Sequence, residues 1–250
     1  MNKEYKTEAD LCDEFIKNIS DEWISYPETN DYDIFLVHKE TGAQIGIEAK
    51  LFLNTKVLTQ VLPSSNCEYY NVKGPDFLAV LVPKIKRNDV EKLCRHLGVT
   101  VIEMNRFTSC GFSPDLPSFS DQYERWYGFS DDWFDRCQID RLDVPIVVPK
   151  VKCGVPSPKK LTDWKIKSIK LLIILEKFGY VTRKDFKDLK LNPSLWTSSR
   201  WLHPSTKKGR WEKCDATPDL KYQHPENYEE IEHLFDSWFV EIENRKQTNE

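Results

Sequence analysis

Two apolar runs closed on each other by a tight turn constrain this chain more than any other feature. Asp33-Ile34-Phe35-Leu36-Val37-His38 reads as a strand, Thr41-Gly42-Ala43 as a turn, and Gln44-Ile45-Gly46-Ile47-Glu48-Ala49-Lys50-Leu51 as a second strand, together a β-hairpin. Side chains alternate along a strand, so Glu48 and Lys50 project to one face while Ile45, Ile47 and Ala49 share the other. A carboxylate and an ammonium therefore point the same way from an otherwise apolar strand, with Asp33 at the head of the strand beside it. Two carboxylates can hold Mg²⁺ through oxygen ligands, and a lysine next to them can orient or activate a water, which is equipment for phosphodiester hydrolysis. The alternative for Glu48 and Lys50 is an ordinary exposed charge pair.

The flanking sequence supplies a framework for the hairpin. Thr7, with Asp10 three residues on, caps an amphipathic helix through Leu11, Cys12, Phe15, Ile16 and Ile19. Pro27-Glu28-Thr29-Asn30 reads as a turn between this helix and the hairpin. A segment bearing Gln60 follows the hairpin, then a buried strand within Pro75 to Pro83. A helix with Val90, Leu93, Cys94 and Leu97 stops at Gly98, and Val99 to Ile102 forms another strand. The expected fold class is α/β with element order αβββαβ.

This order, with Asp33, Glu48, Ala49 and Lys50 at their places in it, resembles the PD-(D/E)XK superfamily, the restriction-endonuclease-like nucleases. The resemblance spans about residues 5 to 105, within a nuclease-like domain of residues 1–115. It implies that Asp33 and Glu48, with Ala49 between the Glu and the Lys, bind Mg²⁺, with Mn²⁺ able to substitute, and that Lys50 assists the attacking water. Family members often add a glutamate from the first helix and a polar residue after the Glu-x-Lys strand, for which the chain offers Glu8 or Glu14, and Gln60. The residue before the Asp is often Pro in the family and is Tyr32 here.

Charge divides the rest of the chain. The net charge is −4, yet residues 159–215 carry 15 Lys and Arg against 6 Asp and Glu, a net +9. A basic block inside an acidic protein suits a nucleic-acid contact face, because neutralised phosphates release condensed counterions; a solvated lysine-rich helix surface is the plainer alternative. Pro145, Pro149, Pro156 and Pro158 mark residues 144–160 as a linker. After it, a helix capped by Thr162 or Asp163 buries Ile166, Ile169, Leu172, Ile173 and Leu175, exposes Lys165, Lys167, Lys170 and Lys177, and stops at Gly179. A short helix capped by Thr182, a third from Pro193 to about Leu202, and a basic hairpin over Ser205 to Lys213 follow.

That sequence of elements resembles a winged helix-turn-helix domain. The resemblance implies that Ser194, Thr197, Ser198, Ser199 and Arg200 face bases, with Lys207, Lys208 and Arg210 on the backbone of DNA, RNA being left open as a target. A small helical domain that binds protein or the nuclease half is the competing expectation, with Trp196, Trp201 and Trp211 as its core. Beyond it, Tyr228, Ile231, Leu234, Phe235, Trp238 and Phe239 form one stripe of an acidic helix, expected to pack on a neighbouring domain or on the second copy of a homodimer. Residues 116–158, aromatic and acidic with Trp126, Tyr127, Trp133 and Phe134, suggest core or interface only.

Composition excludes other classes. With 40% hydrophobic and 30% charged residues the chain has enough apolar surface for a core and is not disordered. Its longest apolar candidate, Leu171 to Leu175, is far short of a membrane span, and the start lacks a secretory signal, so a cytoplasmic protein is expected. Seven cysteines without CxxC spacing read as reduced thiols, and five histidines without HExxH or HxH offer no zinc site. The combined expectation is a Mg²⁺-dependent endonuclease acting on DNA, fitting restriction or defence. A DNA-binding regulator on a nuclease-like scaffold is the alternative.

Overall fold

Thr7 starts the first helix as its sequence demands: its hydroxyl accepts from the Asp10 amide and its amide donates to the Asp10 carboxylate, both at 3.1 Å. The helix, α1 (Glu8–Asn18), buries Leu11, Cys12 and Phe15. In this computed structural model the described residues are 5–62, 73–84, 89–104, 116, 117, 119, 133–136, 138, 140–153 and 160–240. They fall into two compact units, one made of Met1–Val144 and Val151–Lys160, the other of Pro145–Lys150 and Leu161–Glu250.

The first unit is mixed α/β. Strands β1 (Trp23–Thr29), β2 (Tyr32–His38) and β3 (Gln44–Ala49) run antiparallel, and β4 (Phe77–Val82) and β5 (Val99–Glu103) continue the sheet in parallel, in the order β1-β2-β3-β4-β5. Helix α2 (Thr55–Val61) lies between β3 and β4 in sequence, and α3 (Asp89–His96) between β4 and β5. Both β3 and β4 are buried throughout, as interior strands of a covered sheet should be. Ile34, Leu36, Ile45, Ile47, Ala49, Ala79 and Leu81 form a core with the buried face of α1.

Three expectations need correction here. The stretch Pro27 to Asn30 is not a turn before the hairpin: β1 runs to Thr29, and Asn30 and Asp31, with φ of 55° and 67°, make the two-residue turn into β2. Proline is tolerated because β1 is an edge strand. The observed order is therefore αβββαβαβ, and Gln60 sits on a helix that apolar spacing alone did not reveal. On α3 only Cys94 is buried, while Leu93 and Leu97 are exposed.

The described part of residues 116–143 belongs to this unit. The Gln44 side chain exchanges two hydrogen bonds with the Leu142 backbone at 2.9 Å, Arg141 pairs with Asp76, and Trp133 meets Phe77 edge to face. Trp126 and Tyr127 lie outside the described residues. The expected linker is also corrected. Pro145 to Lys150 pack with the second unit and the chain then returns to the first, with Pro156 and Pro158 outside the described residues.

In the second unit α4 (Asp163–Phe178) ends at Gly179 with φ of 77°, the left-handed cap glycine supplies without strain. Then come β6 (Val181–Thr182), α5 (Arg183–Asp188), α6 (Pro193–Ser198), β7 (Leu202–Pro204) and β8 (Arg210–Lys213), the strands pairing in the order β6-β8-β7. The third helix stops at Ser198, short of Leu202, because Leu202 is committed to β7; β6 was not expected. Helices α7 (Leu220–Gln223) and α8 (Pro225–His233) and a helical stretch 235–240 complete the unit. Trp196 is its fully buried centre, with Trp201 and Trp211 packed against the core.

The acidic stripe is part of that same core. Tyr228, Ile231 and Trp238 are buried with α4 residues, and Leu234, Phe235 and Phe239 pack against them. The stripe packs within its own unit, the neighbouring-element half of the expectation. Among the described residues no helix is long and apolar enough to cross a membrane.

One glycine ties the hairpin together. A Cβ at Gly46 would lie 2.6 Å from ring atoms of buried Tyr32, the residue immediately before Asp33. The aromatic ring at the position where proline is common in the resembled family is accommodated by the missing side chain opposite it. Gly46→Ala should destabilise the first unit by about 1–3 kcal/mol, because a rigid ring cannot yield. Urea denaturation read by tryptophan fluorescence checks this, and an unchanged midpoint would show that the ring moves freely.

Candidate functional site

The register of the sheet assembles the site. Ile34 pairs with Ile47 across β2 and β3, so the next position sets Asp33 opposite Glu48; Pro27 and Thr29 pair with Ile34 and Tyr32 across β1 and β2, which sets Glu28 opposite Asp33. Residues directly opposite in antiparallel strands share a face, so three carboxylates stand in one row across three strands. Asp33 is held by its Oδ2, which accepts the Ala49 backbone N–H at 2.9 Å. Its own carbonyl accepts from the Cys153 thiol at 3.2 Å.

Lys50 closes the row. Its ammonium donates to Glu8 Oε2 of α1 at 3.2 Å and lies 3.8 Å from both Asp33 Oδ2 and Glu48 Oε2. Burial by itself would push its pKa down, but Asp33, then Glu8 and Glu48, outweigh that and hold it above the ordinary lysine value. Lys50 therefore carries its proton through the neutral range. Glu48 responds in the opposite sense: burial first, then the neighbouring charge of Asp33 and a hydrogen bond with it, push its carboxyl up to about 8 despite Lys50. Two carboxylates in one buried row resist full ionisation.

The structure brings together Glu8, Asp33, Glu48, Ala49 and Lys50 of the sequence-derived set. It is Glu8 of α1 that reaches Lys50; Glu14 lies further along α1, half-buried, and lends its carbonyl to Asn18. Gln60 is not brought in: it is exposed on α2, whose buried side chains are Val57, Leu58 and Val61.

Two further residues belong to the cluster and were not anticipated. Glu28 is buried, with its side chain 1% exposed, and forms an ion pair with Lys160. Its φ of 50° is left-handed, a conformation that costs a non-glycine residue about 1–3 kcal/mol and clusters at functional sites. Asp33 and Glu48, with Glu28 ahead of them, offset the burial of Lys160 and raise its pKa. Glu28 was hidden inside an apparent turn, and Lys160 was counted with the basic block. Strand alternation from Tyr26 would have exposed Glu28 once β1 was known; no local signal marks Lys160.

The thiols near the site are structural. Cys12 and Cys153 are buried, and a hydrogen bond to Cys153 together with burial pushes the Cys12 thiol up, so it stays protonated. Cys94 and Cys214 are also free, while Cys67, Cys110 and Cys137 lie outside the described residues.

On the second unit Ser194, Ser198, Ser199, Arg200, Lys207 and Lys208 are exposed. Thr197 is half-buried and its hydroxyl donates to the Pro193 carbonyl at 3.1 Å. Arg210 lies with its guanidinium 3.9 Å from the Tyr180 ring centre. The lysine face of α4 is not the free basic surface its spacing suggested. Lys170 and Lys177 lie over the rings of Trp238 and Phe235, Lys165 meets His224, and Lys167 pairs with Asp163. The ammonium groups of Lys170 and Lys177 thus sit over aromatic faces, whose quadrupole attracts a cation.

The raised Glu48 pKa carries a stability cost with a definite sign. A carboxyl whose folded pKa lies above its unfolded value favours the fold most below the unfolded pKa of 4.5, and that contribution is lost as pH rises through about 8. Glu48→Gln, which cannot ionise, should therefore stabilise the metal-free protein by roughly 2–4 kcal/mol near pH 9 and by little near pH 5. Thermal melts in EDTA at the two pH values check this; equal shifts at both would remove the buried-charge explanation.

Among the described residues no group of three or more His, Cys, Asp or Glu side chains is arranged to hold a metal ion by itself. The chain matches no protein-family model, no curated protein and no solved structure, so the arrangement of these side chains alone carries its functional reading.

Proposed function

We propose that this protein is a Mg²⁺-dependent endonuclease hydrolysing phosphodiester bonds in DNA, its first unit of the restriction-endonuclease-like kind and its second a winged-helix-like module that binds DNA. The observation that carries the reading is the meeting of Asp33, Glu48 and Lys50 on one face of β2 and β3, with Glu8 of α1 on the same lysine. An exposed charge pair is a poor description of Glu48, which is buried.

The donor set fits a hard divalent cation. Asp33 and Glu48 offer oxygen ligands, the Ala49 carbonyl is a third donor of the same kind, and the Asp33 charge that adds to burial in raising the Glu48 pKa is what a bound cation would offset. When bound, such an ion would stabilise charge on the scissile phosphate and lower the pKa of a coordinated water. Lys50, beside both carboxylates, is placed to donate to and orient a water or a phosphate oxygen. Glu8 keeps the ammonium aimed into the row.

The second unit supports the DNA part of the reading. Its helices and three-stranded sheet occur in the order a winged helix requires, and the residues expected on α6 and the β7–β8 hairpin are mostly exposed. With Lys165, Lys167 and Lys170 of α4 partly buried against other groups, the exposed cations of the unit include Arg200, Lys207 and Lys208 together with Arg183, Lys184, Lys187 and Lys190 of the α5 region. The net acidic charge of the rest of the chain makes this basic block the source of affinity.

Cleavage of supercoiled plasmid, single-stranded DNA and RNA with Mg²⁺, Mn²⁺ or EDTA tests the reading. Cutting should require the metal and fall by about a hundredfold or more in Glu48→Ala and in Lys50→Ala, with DNA binding retained. Cutting that survives EDTA or Glu48→Ala would sink it. Salt-sensitive binding without cutting under any condition would favour the regulator instead. Replacing Lys207 and Lys208 together by Glu should weaken DNA binding uniformly across sequences and flatten its salt dependence by about two counterions. A titration series at several salt concentrations checks this.

A further inference from the structure

The carboxylate row has a second cation, and it comes from the far end of the unit's chain. Among the described residues Glu8, Glu28, Asp33 and Glu48 are served by two ammoniums, Lys50 and Lys160, which gives this set a formal charge of −2 when fully ionised. One divalent cation would bring it to neutrality, the condition under which an anionic phosphodiester can approach. The two lysines are not equivalent. Lys50 lies within 4 Å of three carboxylates and its side chain is 18% exposed, so its donors are committed inside the cluster. Lys160 has a side chain 36% exposed, above a Glu28 carboxylate that is 1% exposed. Of the two ammoniums, it is the one an incoming anion meets first.

Glu28 is built for this placement at some cost. It occupies the third position of the row, opposite Asp33, in a left-handed backbone conformation that no glycine or asparagine relieves. Strain of this kind persists where surrounding structure over-determines it. A simple tether between two parts of the unit would need neither a left-handed glutamate nor a position in the row.

We propose that Lys160 is a substrate-binding residue of this site, its ammonium passing from Glu28 to a non-bridging oxygen of the bound phosphodiester, and that Glu28 is the positioning residue that holds it ready. This rests on the phosphodiesterase reading of the row and adds to it the residue that receives the substrate. The chemistry recognised is the phosphodiester group itself, shared by DNA and RNA.

Kinetics on a short labelled duplex and on one of its strands with Mg²⁺ test the assignment in the full-length protein. Lys160→Met should raise KM about tenfold or more with kcat within about threefold of wild type, the pattern expected when an interaction made equally in ground and transition states is lost. Lys160→Arg should recover most of the loss, since a guanidinium also binds phosphate, and Glu28→Gln should raise KM by a smaller factor. Melting temperatures report on folding separately: a KM effect in a Lys160→Met protein that melts like wild type is what a merely structural lysine would not produce. If wild type cuts and Glu48→Ala does not, yet Lys160→Met keeps the wild-type KM, the nuclease stands and this assignment falls. If wild type cuts nothing, calorimetric titration with the dinucleotide pTpT in Ca²⁺ decides. Binding that Lys160→Met weakens about tenfold and Lys160→Arg retains supports the phosphate site without the chemistry, and equal binding by all variants, or none by wild type, overturns it.

Discussion

Carboxylates in a row across a covered sheet repel one another, and the organisation of the first unit follows from how that repulsion is contained. Register alone sets Glu28, Asp33 and Glu48 side by side on β1, β2 and β3. Lysines from two other places in the chain, together with Glu8 of α1, then complete the charge cluster. The containment is incomplete, since Glu48 still has its carboxyl pushed up to about 8 by burial and by Asp33. Strained and mutually repelling groups of this kind are held in place by the surrounding fold.

The same residues serve packing and positioning together. Alternation along β3 sends Ile45, Ile47 and Ala49 into the core beneath α1 while Glu48 faces the other way, so the rigidity of the core fixes where the carboxylate stands. Tyr32 and Gly46 lock β2 against β3 next to Asp33, and the Ala49 N–H then fixes the Asp33 carboxylate itself. Precision at the site is borrowed from close packing one residue away.

In the second unit, packing removes charge from use. Two of the four lysines that read as a basic helix face lie over aromatic rings of the C-terminal stretch, while Arg183, Lys184, Lys187, Lys190, Arg200, Lys207 and Lys208 are exposed elsewhere on the unit. Total charge over a segment therefore overstates its contact face, because a lysine stem is apolar enough to be recruited into packing before its head meets any ligand.

The sequence by itself determined the local things: helix starts at Thr7 and Thr162, where side-chain oxygens meet free amides, the stop at Gly179, where a left-handed backbone is needed, and the strand alternation that set Glu48 and Lys50 on one face. Asp33, Glu48 and Lys50 were legible because they sit within one hairpin, whose register follows from its own turn. Tertiary structure decided the rest. An edge strand containing proline was readable as a turn until β2 paired with it, and so Glu28 stayed hidden. Lys160 could not be placed, because no periodicity links a residue near the end of a Pro-rich stretch to a strand at the start of the chain. Long-range ion pairs are chosen by the fold that brings their partners together, and a strained glutamate is tolerated only once that surrounding fold holds it in place.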